Sequence, residues 1–192
     1  DAGAFNQDIS SWNTTGVLDM SEMFSGATSF NQPLNAWDVN DVSDMENMFM
    51  GATVFNQPLN TWVVSSVNKM LLMFRNATAF NQDISGWDVG NVTNMISMFS
   101  GATSFNQNLG SWDMSSVTNV SGMFGLTGGS EAVTLSTSNY DAILIGWAAQ
   151  TLARGVYFSG GDSQYSAGTA ATARGTLTGA PNNWTIDDGG QV

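Results

Sequence analysis

Apolar side chains recur along this chain with a fixed 25-residue beat. Phe5, Phe30, Phe55, Phe80 and Phe105 each open a Phe-Asn-Gln triplet, and Trp12, Trp37, Trp62, Trp87 and Trp112 keep step with them. A unit this short cannot bury an apolar face by itself, so copies must lean on one another. The period therefore predicts a repeat solenoid with a long, regular, shallow surface. Within one unit, Trp37 and Val39 alternate around Asp38 with the two-residue period of a strand with one buried face. Val42, Met45 and Met48 then step by three and, with Phe49, predict a short helix or a run of 3-10 turns. Gly26, Gly51 and Gly101 follow that stripe where a left-handed residue ends a helical turn, and Asn76 holds the same slot in the third unit. The expected architecture is leucine-rich-repeat-like, with a parallel β-sheet on one side and short helical segments on the other. Neighbouring strands would lie about 4.8 Å apart.

The pattern changes after Phe124. Met and the 25-residue spacing vanish, and Gly, Ser, Thr and Ala take over. Ser138 is a candidate N-cap for a helix through Tyr140, Ile143, Leu144 and Trp147 to about Arg154, with Gly155 as its stop. Val156-Tyr157-Phe158 and Trp184-Thr185-Ile186 predict two strands, with a second helix over Ala170 to Leu177 between them. Residues 1–125 thus form five repeats, and residues 126–192 an α/β C-terminal cap of the same structural domain, closing the open end of the stack.

The pattern Phe-Asn-Gln-x-Ile/Leu-x-x-Trp-x-Val-x-x-Val-x-x-Met-x-x-Met-Phe, repeated over residues 1–125, resembles the short repeats of bacterial surface proteins. This is the BspA-like relative of the leucine-rich repeat found in large adhesins. The segments Ile143–Gln150 and Asn183–Gly190 resemble the closing segment that such arrays carry. The resemblance implies an exported, extracellular, cell-surface interaction domain and brings no catalytic residue with it. Asp1 falls in mid-repeat, at the slot of Gly26, so the chain is expected to be an excised piece of a longer protein whose export signal lies outside it.

Composition narrows the partners. Four basic residues, Lys69, Arg75, Arg154 and Arg174, face sixteen carboxylates, for a net charge of −12. Nucleic acid and anionic membrane surfaces demand the opposite sign. No run of residues is long and apolar enough to insert into a membrane. The absence of both His and Cys removes the usual base and nucleophile, and no phosphate loop or zinc-ligand spacing occurs, so no enzymatic activity is expected. The Trp row and the Met stripe, Met20 to Met123, are expected as core filling, and the Asn-Gln pairs as stacked amides that satisfy turn backbones.

Three groups are candidates for contact. The first is the outward row of the expected sheet, Asn13, Asp38, Val63, Asp88 and Asp113, flanked by small polar residues such as Ser85, Gly86 and Ser111. It would form a flat acidic face whose alternative is plain solubility. The second is the irregular third repeat, where Lys69, Leu71, Leu72 and Arg75 replace acidic or polar residues. Leu71 and Leu72 are expected to face solvent and to offer a contact for a second copy, a homodimer, although Lys69 can equally answer Asp44 on the neighbouring unit. The third is a candidate Ca²⁺ site, Asp88 with Asp113 or Asp187 with Asp188 beside Gly189-Gly190, since hard cations take oxygen ligands. No cofactor is required. Together these features point to an adhesion module that binds a protein or glycan on another cell, or another copy of itself. The rival class is a structural spacer in a long adhesin fibre.

Overall fold

The computed structural model describes residues 2–192. Successive 25-residue units lie against one another and are joined by backbone hydrogen bonds running from one to the next. Met20, Glu22, Phe24 and Gly26 donate their N–H groups to the carbonyls of Asp44, Glu46, Met48 and Met50 at 2.7–3.0 Å, and the third unit repeats this with Asn94, Ile96, Met98 and Ser100. Isolated parallel bridges mark the same column at Asp19, Asp44, Lys69, Asn94 and Asn119.

The ladder lies on the Met-x-x-Met-Phe segment and not on the Trp segment, the reverse of the sequence expectation. Among the described residues, every helix and extended strand comes after Ser136. The step of three between Met45 and Met48 reflects consecutive tight turns. The Met48 N–H bonds to the Met45 carbonyl and that of Met50 to Asn47, while the residues between them bond to the next unit. Two left-handed residues per unit make this zigzag. Glu22, Asn47, Leu72 and Ser97 have φ between 50° and 58°, and Gly26, Gly51, Asn76 and Gly101 lie between 58° and 73°. Only glycine adopts that region without steric cost, and a Leu does so rarely. The Trp segment forms turns instead, with Trp37 N–H on the Leu34 carbonyl and Val42 N–H on Val39.

Apolar side chains fill the interior as columns, one residue per unit. Phe30, Phe55, Phe80 and Phe105 stack at centroid separations of 6.0–6.2 Å, and Phe24, Phe49, Phe74, Phe99 and Phe124 at 5.3–5.7 Å. Near-parallel rings at this distance gain from dispersion and offset stacking beyond the area they bury. Trp37, Trp62, Trp87 and Trp112 are buried, and each donates its indole N–H to the carbonyl of the Ile or Leu at the start of the preceding unit's Trp segment, at 3.0–3.1 Å. The polar end of each indole is thereby satisfied without water. The Asn-Gln pairs form a second ladder. Asn31 N–H and the Gln32 side-chain amide both bond to the Asn6 side-chain oxygen, and the pattern repeats through Gln107 on Asn81.

Residues 126–192 build regular elements. α1 spans Thr137–Ala148 and is capped by Ser136, whose hydroxyl accepts from Asn139 N–H; the cap lies two positions before the expected Ser138. Tyr140, Ile143, Leu144 and Trp147 form its buried stripe. It stops at Ala148 and not near Arg154, because Gln150 turns inward to accept from Met114 N–H and donate to the Trp112 carbonyl. β1 (Tyr157–Ser159) pairs in parallel with β2 (Thr185–Asp187), with Phe158 opposite Ile186. Between them α2, Thr169–Thr178, buries Ala170, Ala173 and Leu177.

Candidate functional site

The row Asn13, Asp38, Val63, Asp88 and Asp113 lies on the surface, one residue per unit, but on turns and not on a sheet. Each Asn or Asp of the row accepts, through its side-chain oxygen, the N–H two positions on: Thr15, Asn40, Gly90 and Ser115 at 2.9–3.2 Å. These are Asx turns, which mimic a backbone turn with a side chain. The bonds from Ser115 hold the Asp113 carboxyl below its usual range. Val63 has no oxygen to offer and stands 53% exposed in the middle of the row. Thr15 reaches from its unit to the Asp38 carboxylate at 3.3 Å. At the equivalent place in the fourth unit stands Gly90, and a β-carbon there would sit 3.3 Å from both an Asp88 and an Asp113 oxygen. The two carboxylates bracket a bare spot on the surface.

Alternation around Asp38 predicts a sheet face for these residues, whereas the spacing Asp-x-Ser or Asp-x-Gly carries the signal for their turn role. The same device recurs at Asp8 with Ser10 and at Asp83 with Ser85. Much of the acidic content is therefore local turn chemistry that also faces outward.

The third unit is less open than its sequence suggests. Leu71 and Leu72 are half-buried and do not project freely into solvent, because Leu72 takes the left-handed position in the zigzag. Lys69 bonds to Asp44 at 2.7 Å, and that contact, with the nearby Glu46 and Asp19 charges, raises its pKa. Arg75 forms a two-pronged contact with Glu131, 2.9 Å from Nη2 to Oε1 and 3.2 Å from Nε to Oε2, and Ser100 also donates to Glu131. Arg75 and then Ser100 hold the Glu131 carboxyl below the ordinary glutamate value. Both basic residues of this unit are thus occupied within the chain. Glu131, which sequence reasoning passed over, ties the third and fourth units to the segment that precedes the first helix; a lone carboxylate in a Gly-Ser segment carries no periodic signal.

Asp187 and Asp188 do not converge on a cation position. Asp188 is paired with Arg174 at 2.8 Å and its side chain is 2% exposed. It also accepts from the Tyr140 hydroxyl and from Gly190 N–H, so both of its oxygens are engaged. Burial, and then the Asp188 charge, push the Tyr140 hydroxyl well above its ordinary pKa. Asp187 accepts from Thr127 N–H. Among the described residues no group of three or more acidic side chains could hold a metal ion. Among them, too, no helix is long and apolar enough to cross a membrane.

Comparison with known proteins gives one relationship. No curated protein and no solved structure matches the chain. The family model described as "Mycoplasma protein of unknown function, DUF285" matches residues 1–79 and again residues 60–142, overlapping as a periodic sequence allows. Those matches cover the whole repeated region and the first half of α1, so the chain belongs to the DUF285 family.

Proposed function

We propose that the five units form the body of a leucine-rich-repeat-like solenoid, closed by the C-terminal cap, and that the whole is a non-catalytic recognition module of an exported surface protein. The ladder of backbone bonds from unit to unit and the aromatic columns support the solenoid reading. The functional reading rests on one observation: a row of surface side chains, one per unit, four of the five held in a fixed direction by their own turns. Side chains fixed before contact cost little entropy to bind, which is the advantage of a preorganised surface. The partner is a protein or glycan on another cell that presents amines or hydroxyls to Asp38, Asp88 and Asp113 and an apolar group to Val63. Ca²⁺ bridging at Asp88 and Asp113 belongs to the same reading, with ligands from the partner completing the shell.

Retention of beads coated with the chain on a cultured epithelial monolayer tests this. The triple variant Asp38→Asn, Asp88→Asn, Asp113→Asn keeps every turn acceptor and removes only charge, so its fold should persist while retention drops several-fold. Retention of the variant equal to that of the parent chain would remove the row from the mechanism. Parent-chain beads that hold no better than beads carrying an inert protein would favour the spacer reading, in which the array only holds other domains outward.

A further inference from the structure

Three of the four basic side chains are paired with a carboxylate: Lys69 with Asp44, Arg75 with Glu131 and Arg174 with Asp188. The fourth, Arg154, forms no ion pair among the described residues. Its Nε donates to the Pro181 carbonyl at 2.8 Å, which fixes the plane of the guanidinium and leaves both Nη groups without a partner in the chain. On a chain of net charge −12, a cation that is held in place and left uncompensated stands apart from the rest of the surface.

Arg154 lines a cavity of about 450 Å³ where the end of α1, the loop after it and the turn that follows α2 meet. That volume is in the range of small-ligand sites. Ala148, Leu152 and Pro181 give the cavity apolar surface. Asn182, also in its wall, is only 7% exposed; its Nδ2 donates to the Thr176 carbonyl at 3.1 Å, and its Oδ1 accepts nothing from the chain. That oxygen is not sealed away, since among the described residues Asn47 Oδ1 alone is both sealed and unpartnered. An oxygen on a mostly buried side chain with no partner in the chain takes its hydrogen bond from whatever fills the cavity. Thr151, exposed in the same wall, adds a hydroxyl that has no partner in the chain either.

We propose that this cavity is a binding site for a carboxylate-bearing sugar at the end of a glycan chain. The two Nη groups of Arg154 present the paired donors that a carboxylate accepts. Asn182 Oδ1 accepts from a hydroxyl or amide N–H of the sugar, and the Thr151 hydroxyl bonds to a second polar group. The C–H face of the ring rests on Leu152 and Pro181. A pyranose acid unites a carboxylate, neighbouring donors and an apolar face in one ring, whereas a bare carboxylate would leave Asn182 unpaired. The charge of the chain sets the rest of the specificity: sixteen carboxylates against four bases repel a polyanion, so one terminal carboxylate is favoured over a multiply charged chain. The site is separate from the row of Asp38, Asp88 and Asp113 and does not rest on the role given to that row.

The test is an NMR titration of the isotope-labelled chain with the methyl glycosides of glucuronic acid and of N-acetylneuraminic acid. Methyl glucoside, acetate and a tripeptide with a free C-terminus serve as comparisons. At least one acidic glycoside should shift the Arg154 Nε–H and Asn182 Nδ2 signals along a saturable curve, and the two distinguish a uronic from a sialic acid source. Methyl glucoside and acetate should each bind about tenfold more weakly, since each lacks part of the match. Thr151→Glu, at an exposed position, sets a carboxylate in the wall of the cavity and should abolish the response with the melting temperature unchanged. Arg154→Gln should abolish the Asn182 shift as well. The chain carrying Asp38→Asn, Asp88→Asn and Asp113→Asn should respond as the parent does, which separates this site from the row. The proposal is overturned by no saturable response to either glycoside, by an equal response to acetate, by binding that survives Thr151→Glu or Arg154→Gln, or by loss of binding in the triple variant. A tripeptide that binds more tightly than both glycosides overturns it in favour of a protein carboxyl terminus.

Discussion

The first repeat unit and the C-terminal segment lie at the two ends of the described stack, and only the second covers the ends of the columns. The cap does so without repeating the sequence. Trp147, on α1, donates its indole N–H to the Leu109 carbonyl at 3.0 Å, which is the bond that Trp112 makes to Ile84 one unit earlier. Asn139 donates to the Asn106 carbonyl and side-chain oxygen as Gln107 does to those of Asn81, and Ser136 N–H takes the role of the next Asn. A helix has reproduced the contact face of a coil while showing a different face to water. At the other end the identical column positions, Trp12 and Met23, stay exposed. Matching the hydrogen-bond pattern matters as much as covering apolar area, because a buried ladder with unpaired groups costs more than it gains.

The largest test of this difference is a pair of truncations. Trp147→Ala, like Trp62→Ala within the array, should cost about 3–5 kcal/mol as a large-to-small change in a packed core. Trp12→Ala should cost roughly 1 kcal/mol, since half of its ring is already in water. Urea midpoints at constant m-value measure both, and equal losses at Trp12 and Trp147 would abolish the contrast. Because Trp12 alone of the seven tryptophans is exposed, iodide should quench only a minor fraction of the native fluorescence.

A smaller effect concerns the amide that carries the ladder into the cap. Asn139→Ala removes two hydrogen bonds to Asn106 and should destabilise the chain by about 1 kcal/mol, whereas Gln7→Ala at the open end should be silent. Thermal unfolding of the two variants side by side decides it.

The tie between Arg75 and Glu131 gives the next effect, and its sign follows from the depressed Glu131 pKa. A carboxyl whose pKa is lower folded than unfolded contributes stability above its unfolded value, near 4.5, and loses it as pH falls through the folded value. The parent chain should therefore lose stability on acidification more steeply than Glu131→Gln, with the two melting curves converging at the acid end. A Glu131→Gln profile parallel to the parent would show that the carboxylate contributes nothing to holding the array against the cap.

The smallest effect is at Asp88 and Asp113. Replacing both by Asn keeps their turns and relieves like-charge repulsion between exposed groups, so stability should shift by no more than about 0.5 kcal/mol. A titration with Ca²⁺ before and after the replacement separates a bound ion from simple screening, since only the former is lost with the carboxylates.

How much was legible depended on what kind of signal each residue carried. The buried columns of Phe, Trp, Val and Met, the left-handed slot at Gly26 and Gly51 and the elements of the cap could be read from spacing, because burial and positive φ restrict residue choice directly. The direction of the ladder could not. A step of three between Met45 and Met48 fits a helix and a zigzag of turns equally well, and the choice is made by hydrogen bonds to the neighbouring unit. The row of Asp38, Asp88 and Asp113 lies on the surface as its pattern predicts but belongs to turns, because an Asx turn and an outward strand position both accept Asp.

The sequence by itself determined the period, the columns and the change of regime after Phe124, since each is a repeated local constraint imposed by an apolar interior. The tertiary structure alone decided which backbone segment joins the units. It also set Arg75 against Glu131, filled the Asp188 site with Arg174 and put Trp147 in the place of a sixth repeat tryptophan. All of these are pairings between residues that no local pattern assigns to one another, because several compatible partners exist and only the folded chain brings one of them within bonding distance.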